Sequence, residues 1–206
     1  MTGDQVYVAG IRSFAGEVID FACDAGLSVA GLLSPADGEP PQTEAHGLPV
    51  RRIDDPGGGS GLVIVGTGDP DRRGVVERLR SAGWKPLTLV HPRAHLAPSA
   101  QVGEGVLVAP GVVVGAYSTL GDHVVLGRGA LIGHHTEIGA FATLGPGANV
   151  AGNVRVGEDA FLGMAAVVRD HVTIGASAVV GMGAVVVGDV AAETDVRGLP
   201  AREVGS

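Results

Sequence analysis

Two consecutive histidines, His134 and His135, stand in the stretch Ile132-Gly133-His134-His135-Thr136-Glu137-Ile138-Gly139. Imidazole titrates closest to neutral pH of the common side chains. Held on a rigid support, it can take the proton of an attacking amine or hydroxyl. The alternative is a pair of polar turn residues, and spacing alone leaves both open. The other histidines read as structural or solvated: His46 in a polar loop, His91 before Pro92, His95 beside the first repeat anchor, and His123 and His171 at turn-type positions. Met164 and Met182 read as surface filler, since thioethers fill irregular gaps. Cys23 lies in a predicted helix and has no second cysteine to pair with.

The support is a repeat. From Leu96 to Val186 every sixth residue is aliphatic, and most are followed by glycine, as in Val114-Gly115, Ile132-Gly133, Ile138-Gly139 and Ile174-Gly175. A helix with 3.6 residues per turn would smear such positions around its axis, and a flat strand has a period of two. A period of six suits a parallel β-helix of triangular section, with one inward aliphatic per face and about five eighteen-residue coils.

Residues 1–90 read differently. Val6–Gly10 is a short strand. Phe14, Val18, Phe21, Ala22 and Ala25 have helical spacing, with Gly26 as the stop. Ser28–Leu33 is a second strand, and 34–60 is a long Pro/Gly/Asp-rich connection with one short strand near Leu48–Val50. Leu62–Gly66 is a buried strand, a helix opens at Asp69-Pro70 and stops at Gly83, and Pro86–Val90 is the final strand. Strands alternating with helices predict a small parallel sheet. The expected architecture is an α/β Rossmann-like N-terminal domain (1–90) and an all-β C-terminal parallel β-helix with a tail (91–206).

Composition narrows the partners. The 206 residues carry a formal charge of −8 without a Lys/Arg run, which argues against nucleic acid. An aromatic content of 3% beside 35 glycines suits a solenoid filled by stacked aliphatics. Apolar runs are short and broken by glycine, so no membrane span is expected. One cysteine, and residues 1–20 without a signal-peptide pattern, set the expectation of a cytoplasmic protein.

The anchor pattern resembles the hexapeptide-repeat acyltransferases. The whole chain is similar to their sugar O- and N-acetyltransferase branch, the sialic-acid O-acetyltransferase and bacillosamine-pathway N-acetyltransferase type. The resemblance rests on the run together with Gly66-Thr67-Gly68-Asp69-Pro70, the junction Leu87–Ala94, Ala151-Gly152-Asn153-Val154, Gly181–Val186 and Gly198-Leu199-Pro200-Ala201-Arg202. It implies His134 as general base, removing the acceptor's proton as the acceptor attacks acetyl-CoA. It also implies an oxyanion-binding backbone N–H near Gly152, and acetyl-CoA contacts on Thr143, Met164 and Met182. By the same resemblance the β-helix is left-handed and no metal is required, and the expected assembly is a homotrimer with CoA between adjacent prisms. The acidic residue that usually follows the catalytic histidine is here His135, so either another carboxylate such as Glu137 takes the role or His134 works without it.

By the same resemblance the N-terminal domain holds the acceptor's nucleotide. The turn Gly10-Ile11-Arg12-Ser13-Phe14-Ala15-Gly16 departs from the family's Gly-x-Gly-Gly. The strand end Leu33-Ser34-Pro35-Ala36-Asp37 lacks the usual acidic pair. Arg12, Ser13, Phe14 and Ser34 are the candidate contacts, with Arg12 and neighbouring N–H groups able to hold a phosphate. The competing functions are a related transferase with another acceptor or acyl donor, a β-helical zinc carbonic anhydrase using His123, His134 and His171, and a non-catalytic scaffold. The histidine spacing does not match the carbonic anhydrase pattern.

Overall fold

In the first half of the chain, apolar strands alternate with short amphipathic helices. The computed structural model describes residues 5–35, 43–55, 61–67 and 71–204, and the chain divides into two units, Met1–His91 and Pro92–Ser206. The first unit contains β1 (Gln5–Ala9), α1 (Ser13–Asp24), β2 (Ser28–Ser34), β3 (Glu44–Ala45), β4 (Leu48–Arg52), β5 (Leu62–Val65), α2 (Arg72–Ser81) and β6 (Lys85–Pro86). The sheet order is β3-β4-β2-β1-β5-β6, parallel except for the β3–β4 hairpin. Two helices accompany it among the described residues. Helix α1 buries Ala15, Val18, Phe21 and Ala22, and Gly26 ends it at φ 79°, where its N–H reaches the Cys23 carbonyl.

Three expectations shift. Gly68-Asp69-Pro70 lies outside the described residues, and the described cap of α2 is Asp71, whose Oδ1 accepts from Gly74 N at 3.0 Å. The single strand near Leu48 is one arm of a hairpin. His46 (φ 51°) and Gly47 (φ 72°) form its tip, a left-handed pair that suits a tight two-residue turn. The expected strand Pro86–Val90 is split, because Leu89–Val90 is a separate strand from β6.

The second unit is a β-solenoid of two-residue strands. Face I holds His95–Leu96, Val113–Val114, Leu131–Ile132, Asn149–Val150, Val167–Val168 and Val185–Val186. Face II runs from Gln101–Val102 to Thr173–Ile174 in five strands. Face III runs from Leu107–Val108 to Val179–Val180. Asp195–Arg197 then continues it, and Arg202–Glu203 folds back on that strand antiparallel. Each strand pairs in parallel with the residue eighteen positions on, as in Val113↔Leu131 and Ile132↔Val150. The second residue of each pair points inward. Val114, Leu120, Leu126, Ile132, Ile138 and Leu144 are all buried.

Close approach between coils explains the glycine that follows so many anchors. A Cβ on Gly121 would lie 2.6 Å from Ala140 N, and one on Gly115 would lie 2.7 Å from His134 N. The need is for space at these shoulders, since neither residue has a positive φ. Gly121→Ala should therefore destabilise the protein by about 1–3 kcal/mol, the usual range for overpacking. Gly188→Ala, where a Cβ meets nothing within 4 Å, should stay within about 0.5 kcal/mol. Denaturant unfolding of the two variants checks the contrast.

Candidate active site

The stacking turns each edge of the solenoid into columns of residues eighteen apart. The edge between faces I and II carries Ala116, His134, Gly152 and Asp170 in one column. Tyr117, His135, Asn153 and His171 form the next, all with φ between 57° and 59° or, for His135, 54°. Non-glycine residues seldom adopt this left-handed conformation, and it recurs here because the corner geometry repeats. His135 is held there by its N–H donating to Ala116 O at 2.9 Å. Asn153 N donates likewise to His134 O, one coil on.

His134 and His135 are both exposed, with their Nδ1 atoms 3.1 Å apart and their rings nearly perpendicular. His135 also lies against Tyr117, with ring centroids 5.0 Å apart. The His134 ring rests against Gly152, whose added Cβ would lie 2.8 Å from Cε1 and 2.9 Å from Nε2. No backbone hydrogen bond is made by Gly152 N–H among the described residues. Imidazole and a backbone donor thus share one small volume. Glu137 does not take the place of the missing acid: it projects from face II, and its Oε2 is 3.6 Å from Arg155 Nε. The position beside His134 is filled by His135 itself.

The remaining solenoid candidates lie elsewhere. Met164 and Met182 stack on the edge between faces III and I, 50% and 73% exposed, and Thr143 projects from face III just before that edge. In one chain the methionines and His134 therefore occupy opposite margins of face I. Exposed apolar residues between and beside them are Val113, Leu131 and Val167 on face I and Phe161 and Val179 on face III, interrupted by the outward Asn149 on face I. Face II is polar outside, with a shallow groove of about 550 Å³ lined by Thr119, Glu137, Arg155 and Thr173.

His123 is on the third edge, buried and stacked on Phe141 at 4.8 Å, so it does not join His134 and His171 within a chain. His91, also buried, meets Asp24 Oδ2 through Nε2 at 2.9 Å. Among the described residues no three metal-ligating side chains gather.

In the first unit, the candidate acceptor residues collect at the carboxyl ends of adjacent parallel strands. Gly10 N donates to Leu33 O and Gly66 N to Ala9 O, both at 2.9 Å, which draws the ends of β2, β1 and β5 together. A Cβ on Gly10 (φ 138°) would lie 2.6 Å from Gly66 O. Arg12 caps α1 and is exposed with Ser13, Phe14 is half-buried, and Ser34 is buried at the end of β2. Ala36 and Asp37 lie outside the described residues. Sequence reasoning missed His46, whose Nε2 is 3.2 Å from Arg12 O and whose ring covers Gly16. Its signal was the His46-Gly47 hairpin tip.

Similar folds are known. No family model matches the chain, and no curated protein matches it. Among solved structures, GDP-perosamine N-acetyltransferase from Caulobacter crescentus, in complex with CoA and GDP-perosamine, is 34% identical with a TM-score of 0.89, covering 98% of this chain and 97% of its own. The chain belongs to the left-handed β-helix, hexapeptide-repeat sugar N-acetyltransferase family. Within that family it also matches the acetyltransferase domain of PglB from Neisseria gonorrhoeae with acetyl coenzyme A (30% identity, TM-score 0.86, 98% and 100% covered). WeeI from Acinetobacter baumannii is 25% identical with a TM-score of 0.86, covering 97% of this chain and 99% of its own. In this acetyltransferase chain, no helix among the described residues is long and apolar enough to cross a membrane.

The contact between the His134 ring and Gly152 generates a test. Gly152→Ala must push the imidazole aside. A displacement of about 1 Å can cost about 10²-fold in rate. The variant should lose turnover on that scale while its far-ultraviolet circular dichroism stays that of the parent.

Proposed function

We propose that the chain moves an acetyl group from acetyl-CoA to the amine of a nucleotide-linked amino sugar, with His134 as general base. The observation that carries this is the His134 imidazole lying against Gly152, which sets a proton acceptor beside a backbone donor. The acceptor nitrogen attacks the thioester carbonyl, and His134 Nε2 takes the proton it releases. Gly152 N–H donates to the developing oxyanion, the C–S bond breaks, and His134 returns the proton to the departing CoA sulfur, which leaves as the thiol. No covalent enzyme intermediate is needed.

His135 does the orienting. For Nε2 of His134 to accept a proton, its Nδ1 must carry one and donate it across the 3.1 Å contact to Nδ1 of His135. A neutral imidazole fixes the tautomer as a carboxylate would, without contributing a negative charge.

Donor and acceptor classes are supported by the relatives: the Caulobacter enzyme holds CoA and GDP-perosamine, and the Neisseria domain holds acetyl coenzyme A. Here the donor would lie against Thr143, Met164 and Met182. A hydroxyl acceptor is the second possibility within the same mechanism. We read residues 1–90 as a Rossmann-like acceptor-binding domain, on the β2-β1-β5 parallel core and the turn after β1. Arg12, Ser13, Phe14 and Ser34 would meet the nucleotide there, at the carboxyl ends of the strands and the N-terminus of α1.

A second copy resolves the separation of His134 from the methionines. Exposed apolar residues on faces I and III need cover, and packing prisms around a threefold axis would bring one copy's methionine edge beside another's His134 edge. The proposed unit is a homotrimer, and its single cysteine suits a reducing cytoplasm.

His134→Ala should keep its fold and bind CoA while losing at least about 10² in rate. A thiol-release screen with acetyl-CoA against nucleotide-linked 3-amino and 4-amino sugars measures it, and an unchanged rate would refute the assignment. Light scattering should give the mass of a trimer, and a monomer at assay concentration would contradict the shared site.

A further inference from the structure

The inward corner residues of the solenoid from Val106 to Ala184 are buried alanines and valines with two exceptions, Ser118 and Thr136. Neither has any exposed surface. They stack one coil apart on the edge between faces I and II, Thr136 in the coil that carries His134 and Ser118 in the coil before it. A buried hydroxyl is costly unless its hydrogen bonds are made, so its partners decide what it is for.

At Ala130, Ala142, Ala148 and the further corner alanines through Ala184, the turn closes on itself. The alanine N–H donates to the carbonyl three residues earlier at 3.1–3.4 Å. Turns 133–136 and 151–154 make no such direct bond. Ser118 Oγ instead donates to Gly133 O at 2.8 Å and accepts from Thr136 N at 3.2 Å. Thr136 Oγ1 donates to Ala151 O at 3.0 Å and accepts from Val154 N at 3.3 Å. A hydroxyl is inserted into each of these two turns. The carbonyls it takes are particular ones: Gly133 C=O shares its peptide with His134 N–H, and Ala151 C=O shares its peptide with Gly152 N–H.

We infer that Thr136 is a positioning residue for the oxyanion donor, and that Ser118 does the same for the peptide bearing His134. A hydrogen bond accepted at Ala151 O polarises that peptide and strengthens its N–H as a donor. It also fixes the peptide plane, so that Gly152 N–H needs no reorientation as charge develops on the substrate. The inference rests on the proposed acetyl transfer, since it requires Gly152 N–H to face the oxyanion. Thr136→Val keeps the side-chain shape and leaves Ala151 O and Val154 N without their bridge.

Steady-state kinetics with acetyl-CoA and an active acceptor test it, on Thr136→Val, Thr136→Ser and Thr136→Ala, with His134→Ala in parallel. Alanine is the residue the neighbouring corners use, so that variant keeps the test open should valine fail to fold. Both hydroxyl-free variants should lose about ten-fold in kcat, the scale of one buried hydrogen bond. KM for each substrate should change by less than about two-fold, and the acid limb of the pH–rate profile should stay in place. Thr136→Ser should restore kcat, and Val172→Ala, a corner change on the same edge without a hydroxyl, should retain it. Full kcat in the folded hydroxyl-free variants, a loss confined to KM, or no rescue by serine would overturn the inference. Full activity in Thr136→Val beside an inactive His134→Ala removes this inference alone. Full activity in His134→Ala removes the general-base proposal, whichever way Thr136→Val behaves.

Discussion

The close stacking of coils in strict eighteen-residue register is the constraint from which the rest follows. Inward Val, Ile and Leu fill a narrow interior, and the coils approach until a Cβ at a shoulder such as Gly121 would strike the backbone above. Interiors packed this tightly do not deform gradually. A corner is therefore a fixed place, and a side chain put on it is aimed by the lattice of coils as a whole.

Chemistry in such a lattice is written in columns. His134 and Gly152 are one column of the I/II edge, so the small residue above the histidine makes room for its ring and offers a backbone donor in the same contact. The next column holds Tyr117 and His135 in left-handed turns, with His135 turned onto His134 through the two Nδ1 atoms. Beneath both run Ser118 and Thr136, each bridging a turn that alanine corners close directly. The proposed base, its partner, the proposed oxyanion donor and the two buried hydroxyls all come from three successive passes of the chain over one edge.

The same rigidity fixes the separation of the His134 edge from the methionine edge within one solenoid. His134 and the methionines stand on opposite margins of face I, and no flexing of a packed prism brings them together. Exposed Val113, Leu131 and Val167 lie on that face, the kind of surface another copy covers. The first unit works differently. Its candidate contacts come from loops after β1 and β2, where side chains such as His46 reach across from another element and the backbone is less repetitive.

The sequence by itself determined what a repeat can encode. The aliphatic ladder from Leu96 to Val186 specified a β-solenoid, and the family resemblance carried along that register pointed to His134 as the proposed base. That legibility has a physical origin: neighbours in space are a constant eighteen residues apart, so packing is visible in the spacing. It failed where contact distance is not periodic. Glu137 was a candidate partner on proximity along the chain, but the strand after the corner turns it out onto face II toward Arg155. His46 read as a loop residue until the β3–β4 hairpin carried it to Arg12. Nothing in the spacing marks Ser118 and Thr136, because only the three-dimensional course of the chain shows which carbonyl a hydroxyl meets. Tertiary structure alone decided the 3.1 Å histidine pair and the ring over Gly152, since both depend on how a corner's side chains rotate once coils are in contact.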